Sequence, residues 1–185
     1  MSASMPSFRN AGLDDVAAVV QLVESAYRGE SSLAGWTTEA HLLDGQRTDP
    51  EEVASLTRER LARLLLAQQA SELVGCVLVR AEREPQAGAR VVAQIGMFAV
   101  RPTLQARGLG RALLAEAERV ARTELGAARA EMTVIEQRTD ILGWYERRGY
   151  ARTGEIQPFP YGNPRFGLPR RPDLRFLVLA KPLPA

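Results

Sequence analysis

The apolar run Gln94-Ile95-Gly96-Met97-Phe98-Ala99-Val100 stops at Arg101-Pro102, and Gln105-Ala106-Arg107-Gly108-Leu109-Gly110-Arg111 then opens an amphipathic stretch. Proline removes a ladder donor and ends the strand, while the glycines allow a turn tight enough to launch a helix. The first backbone N–H groups of that helix have no partner within it, so the turn forms a cradle for an anion. Arg107 and Arg111 add positive charge where a pyrophosphate would lie.

Taken alone, such a turn suits any phosphate, or simply starts a helix. Two alternatives fit badly. A dinucleotide fingerprint needs a third glycine where Leu113 stands, and a P-loop needs Gly-Lys-Ser/Thr where the chain has Gly110-Arg111-Ala112. A nucleotide enzyme would also need a Mg²⁺ site, and none can be located.

The elements around the turn alternate. Phe8 to Ala11 reads as a short strand, and Asp14 is placed to cap a helix in which Val16, Val19, Val20 and Val23 share one face. Glu30 to Asp49 reads as a long loop with a helical turn. Asp49-Pro50-Glu51-Glu52 is a helix start, with a capping aspartate, proline in the first turn and a glutamate placed for a capping box. Strands are expected at 64–68, 72–81 and 91–100, the last two joined by the loop Arg83 to Gly88, making an antiparallel meander. Leu109, Ala112, Leu113, Ala117 and Val120 line one face of the next helix, which Gly126 ends. Met132 to Ile135 is a strand, Thr139 or Asp140 caps a helix running to Arg148, and strands at 150–156 and 174–180 follow. The proline-rich segment Pro158 to Pro172 carries Phe159, Tyr161 and Phe166 and reads as an ordered loop, either walling a pocket or merely connecting two strands.

A chain of 185 residues, 45% hydrophobic and 25% charged, suits one packed domain over 1–185. The net charge of +2 gives no reason to expect nucleic acid as a partner. The N-terminus lacks a signal-like apolar region and no apolar run is long enough to span a bilayer, so no membrane association and a cytoplasmic location are expected. Cys76 and His41 are each single, which rules out an intrachain disulfide and a Cys/His zinc cage, and no metal is expected. Cys76 reads as a small buried strand residue and His41 as a surface or supporting one.

Val100-x-Pro102-x-x-Gln105-x-x-Gly108-x-Gly110 before an amphipathic helix resembles the CoA-binding motif of the GNAT acetyltransferase superfamily. Trp144-Tyr145-Glu146-Arg147-Arg148-Gly149-Tyr150 resembles a second signature of that family, and the element order agrees from end to end. The resemblance implies an α/β (α+β) GNAT fold: a mixed, mostly antiparallel sheet of about seven strands, splayed between the fourth and fifth and flanked by about four helices. It implies acetyl-CoA as co-substrate, with Phe98, Ala99 and Val100 beside the pantetheine arm. Gln105, Ala106, Arg107, Gly108, Leu109, Gly110 and Arg111 would hold the pyrophosphate. Tyr145 would be the catalytic acid that protonates the departing thiolate. Many family members carry Asn where this chain has Arg138, which would contact the cofactor, contact an acceptor carboxylate, or lie in solvent.

The implied reaction is N-acetylation of a primary amine on a small or amino-acid-like molecule, by direct attack in a ternary complex. Peptide N-acetylation, or a noncatalytic acyl-CoA-binding module, stays open, as does a homodimer. The amine must first lose a proton. Gln94 stands in the strand where relatives often place a glutamate, so Glu30, Glu39, Asp44 or a water relay is left for that task. Trp36, Glu39, Phe159 and Tyr161 are the candidate acceptor contacts, with Phe166 on the same wall and Arg165, Arg170 and Arg171 available for a carboxylate.

Overall fold

The computed structural model describes residues 5–83 and 91–184. The first half contains β1 (Ser7–Asn10), α1 (Val16–Tyr27), α2 (Gly29–Ser32), β2 (Leu43–Asp44), α3 (Pro50–Arg58), β3 (Ala62–Gln69) and β4 (Glu72–Arg83). The second contains β5 (Val91–Val100), α4 (Leu109–Thr123), β6 (Arg129–Ile135), α5 (Thr139–Glu146), β7 (Ala151–Pro158), β8 (Leu168–Pro169) and β9 (Arg175–Pro182). The expected loop from Arg83 to Gly88 lies, beyond Arg83, outside the described residues. No described helix is long and apolar enough to cross a membrane.

Seven strands form one sheet in the order β1-β3-β4-β5-β6-β9-β7. Every neighbouring pair is antiparallel except β5 and β6, which run parallel. These are the fourth and fifth strands of the main sheet, and they pair only from Val92↔Arg129 to Gln94↔Glu131 before parting. The expected splay is therefore present. The expected helices are present as α1, α3, α4 and α5, and α2 is the helical turn inside the long N-terminal loop. β2 and β8 pair with each other, so the two segments read as loops are tied together at Leu43↔Pro169 and Asp44↔Leu168.

Strand alternation divides the core between the two faces of the sheet. Leu64 and Leu66 pack with Val19, Val23 and Ala26 of α1 and Val53 and Leu56 of α3. Leu65 and Ala67 face the other way, toward Leu113, Leu114, Ala117 and Val120 of α4. α4 lies close on the sheet because Gly75 has no side chain: a Cβ there would stand 3.2 Å from Leu113 Cδ2. Truncating Leu113, which is fully buried, to Ala costs about 2–5 kcal/mol. Cys76 lies within the α1 face, and burial pushes its thiol up to about 12.

Local capping differs in part from expectation. Asp49 caps α3 by accepting from the Glu52 amide at 2.8 Å, but the Glu52 carboxylate takes the Thr48 hydroxyl at 2.7 Å rather than closing a capping box. Asp14 caps nothing, because a 3-10 turn at Leu13–Asp15 precedes α1 and the carboxylate of Asp15 accepts from the Gly12 amide at 2.8 Å. Arg138, not Thr139 or Asp140, holds the N-cap position of α5. Gly126 is left-handed at φ 69, just beyond the α4 cap at Glu124.

Candidate active site

The site is built on an irregularity in β5. Cys76 pairs with Ala99 and Leu78 with Gly96, so Met97 and Phe98 together face Val77, and Met97 adopts φ 44. Such a bulge shifts the alternation by one residue. Ala93 and Ile95 face α4 before it; after it Val100 faces α4, with Phe98 packed alongside, while Met97 and Ala99 face α1. The Phe98 carbonyl, freed from regular pairing, accepts a hydrogen bond from the Tyr27 hydroxyl at the end of α1.

Beyond β5 the turn takes the form the glycines require. Pro102–Leu104 makes a 3-10 turn, Ala106 adopts φ 61, and Gly108 caps α4 at φ 85. The Gln105 amide is bonded to Pro102 O at 3.3 Å and the first bond of the α4 ladder is Ala112 N to Gly108 O at 3.1 Å, so the amides between them are left for an outside acceptor. The Gln105 side chain ties this turn to the 36–37 loop. Its oxygen accepts from the Trp36 amide at 2.8 Å, and its nitrogen donates to Thr37 Oγ1 at 2.8 Å and Val100 O at 3.0 Å.

Two clefts meet beside the bulge. The first, of about 270 Å³, is lined by Phe98, Val100, Gln105, Ala106, Gly108, Gly110 and Arg111, with Trp36, Thr37, Trp144 and Arg148 opposite. Glycine at 110 keeps it open, since a Cβ there would come 3.4 Å from Trp144 and 3.9 Å from Phe98. Arg148 lies 3.6 Å over the Trp144 ring, and burial, then Arg147 and Arg111, lower its pKa. Cations that repel one another favour a polyanionic occupant. The second cleft, of about 410 Å³, opens where β5 and β6 part and is walled by Phe159, Phe166 and Phe176, with Arg28, Glu39, Arg47 and Arg138 at its polar end. Tyr27, Phe98, Ile141 and Tyr145 border both.

Tyr145 is buried in an aromatic cluster, edge-on to Phe98, Trp144 and Tyr150. Burial first, and the neighbouring Tyr27 second, hold its hydroxyl well above the ordinary phenol range. Burial, reinforced by Glu39, pushes Tyr27 up to about 12. Both phenols keep their protons at neutral pH.

The residues singled out in the sequence divide in three. Phe98, Val100, Gln105, Ala106, Gly108, Gly110, Arg111, Trp36 and Tyr145 line the first cleft. Glu39, Phe159, Phe166 and Arg138 line the second. Ala99 and Leu109 instead fill the core, Arg107 is exposed, and Tyr161 braces its own loop through Arg171 O and the Leu174 amide. Arg138 does not reach the first cleft with its charge free: it donates to Trp36 O, Thr37 O and Asp140. Arg165, Arg170 and Arg171 are paired with Asp49, Asp44 and Asp173. Glu30 and His41 are exposed. Among the described residues no group of side chains could hold a metal ion. Sequence reasoning missed Tyr27, Thr37, Ile141, Trp144 and Arg148 in the first cleft and Arg28, Arg47 and Phe176 in the second. Trp144 and Arg148 carried a signal, through their place in the Trp144 to Tyr150 motif.

A mostly antiparallel sheet parted at its one parallel pair, with a glycine-opened helix beside the gap, is the fold of the GNAT acyltransferases. The Salmonella typhimurium protein yncA, solved with its cofactor acetyl-CoA, is similar with a TM-score of 0.70 at 19% identity, over 98% of this chain and 96% of that one. A ribosomal-protein-alanine N-acetyltransferase from Brucella melitensis is similar with a TM-score of 0.68 at 21% identity, over 96% of this chain and 99% of its own. A spermidine N-acetyltransferase chimera of SpeG from Vibrio cholerae and hSSAT has a TM-score of 0.67 at 16% identity, over 97% and 96% of the two chains. Likeness at these identities is likeness of fold. No curated protein matches in sequence. The model of the acetyltransferase (GNAT) family matches residues 21–150, and the chain belongs to that family. Membership implies acyl-CoA-dependent acetyl transfer.

Proposed function

We propose that the chain, acting as a single domain over 1–185, transfers the acetyl group of acetyl-CoA to a primary amine of a small, amino-acid-like molecule. The observation that carries this reading is the meeting of two clefts at Tyr145, one walled by the glycine turn and the other by aromatic side chains. The backbone amides between Gln105 and Arg111 receive the pyrophosphate, and Arg111 with Arg148 adds charge beside them. Phe98 and Val100 flank the pantetheine arm. A backbone N–H at the bulge, from Phe98 or Ala99, polarises the thioester carbonyl.

The amine enters from the second cleft and attacks the acetyl carbon directly. Its proton leaves through water toward Glu39, the one carboxylate lining either cleft among the described residues. Tyr145, held protonated by its burial, donates to the departing thiolate. A binding module without chemistry would need no proton donor at this junction.

The test uses the chain's two tryptophans, Trp36 and Trp144, which both line the first cleft. Acetyl-CoA should quench their emission saturably, and an amine panel should release free thiol. Unchanged emission, with no thiol released by any amine, would remove the assignment.

A further inference from the structure

The second cleft holds a guanidinium that Glu39 pairs at only one of its nitrogens, Arg28, and a second one, Arg47, that no described carboxylate pairs. Arg28 lines it and is only 6% exposed. Its Nη1 donates to Glu39 at 2.6 Å, whereas Nε and Nη2 are buried without a hydrogen-bond partner. Those two nitrogens form the guanidinium edge whose parallel N–H groups match the two oxygens of a carboxylate. A desolvated donor on a charged group is expensive to leave bare, so the edge calls for an anion. The Nη2 end lies near Gly167, where a Cβ would stand 3.1 Å from it.

Arg47 lines the same cleft, and its guanidinium lies 5.5 Å from the centre of the Tyr27 ring without an ion pair to any described residue. The hydroxyl of that ring reaches the Phe98 carbonyl, where the two clefts meet. An unpaired cation therefore stands one aromatic ring away from the place where the amine must react. That spacing suits an amine and a carboxylate carried on one carbon. Arg138 makes no such demand, because its Nε, Nη1 and Nη2 all donate, to Asp140 and to the Thr37 and Trp36 carbonyls. Phe159, Phe166 and Phe176 give the cleft an apolar wall, with Thr133 and Gln157 also lining the space.

Resting on the N-acetyltransferase reading above, we propose that the acceptor is a free amino acid with an apolar side chain. Its carboxylate is held by Arg47 and the free edge of Arg28, and its side chain lies against the three phenylalanines. The amine lone pair forms the new C–N bond and the thioester C–S bond breaks. The departing sulfur takes a proton from Tyr145; of the two protons that the ammonium gives up, the first leaves through water toward Glu39 and on to solvent and the second restores Tyr145, and the products are an N-acetylamino acid and CoA. A polyamine brings cations to a cationic site and is rejected.

The experiment follows thiol release by the full chain from acetyl-CoA with L-phenylalanine, L-leucine and L-methionine, their amides, phenethylamine and spermidine. At least one acid should exceed its amide in kcat/KM by about tenfold to a hundredfold, the scale of one charge-assisted paired contact. Arg47→Gln should bring that ratio close to one, and Arg28→Lys, which keeps the charge but loses the planar edge, should lower it. The acetyl-CoA fluorescence titration checks that each variant is folded. Amides or spermidine turning over as well as the acids, or all acids inert while other amines react, would overturn the proposal and leave the acetyltransferase reading standing. Failure of acetyl-CoA to bind would overturn both.

Discussion

Arg138 Nη2 donates to the carbonyl of Trp36 at 3.1 Å, joining the start of α5 to a loop 102 residues earlier in the chain. Its Nη1 takes the adjacent Thr37 carbonyl at 3.0 Å, and Gln105 holds the amides of the same two residues from the other side. The wall of the first cleft is thus pinned from α5 and from the glycine turn together. Arg138→Ala should lower stability by about 1–3 kcal/mol, because two part-buried carbonyls lose a charged donor, and should weaken acetyl-CoA binding. Urea unfolding and a red shift of Trp36 emission read the two effects. Arg138→Lys should recover little, since an ammonium cannot span two carbonyls and Asp140 as a planar fork does.

Tyr145→Phe keeps the ring that packs against Phe98, Trp144 and Tyr150 and removes only the hydroxyl. The turnover rate should fall by about 10²–10⁴-fold, the usual contribution of a positioned acid, with acetyl-CoA affinity nearly unchanged. Steady-state kinetics beside a fluorescence titration separate the two quantities. Normal turnover in this variant would assign the proton to another donor.

Gly110→Val places a branched side chain where even a Cβ comes 3.4 Å from Trp144. Valine is tolerated in a helix to within about 0.7 kcal/mol of the best residue, so α4 should still form. Acetyl-CoA affinity should drop at least about tenfold, equivalent to ~1.4 kcal/mol, while the thermal midpoint stays within a few degrees. A variant with wild-type affinity would show that the cofactor does not pass this point.

Alkaline pH should unfold the protein through its buried phenols. Tyr27 is raised in the folded chain to about 12 against 10.0 for the free group, and Tyr145 and Tyr150 are raised as well. A raised folded-state pKa gives stability that is whole below pH ~10 and lost as pH climbs toward ~12. Over that window Tyr27 alone removes up to about 1.4 kcal/mol per pH unit. Urea midpoints at pH 8, 10 and 11 should stay level and then fall, less steeply in Tyr27→Phe. An equal fall in both proteins would trace the transition to other groups.

The turn at Gln105 to Arg111 and the helix after it were legible from residue order, because proline, glycine and a periodic apolar face act over neighbouring positions. Tyr145 was singled out only through the family resemblance of the Trp144 to Tyr150 stretch, and its position at the junction of the two clefts is a matter of packing. The join of β2 to β8 was not legible, since Asp44 and Arg170 lie 126 residues apart and each looks like an ordinary surface charge. The second cleft departed most from expectation. Arg165, Arg170 and Arg171 are spent on aspartates, and in the second cleft the guanidinium with two unpartnered nitrogens belongs to Arg28, whose burial no local pattern announced.

Residue order by itself determined the strand stop, the glycine turn and the two faces of α4, each a matter of local backbone chemistry. Tertiary structure alone decided the rest: the bulge at Met97 that turns Phe98 into the cleft, the Tyr27 hydroxyl that meets it, and the parting of β5 from β6. Those depend on register and packing between distant segments, where a shift of one residue exchanges the two faces of a strand.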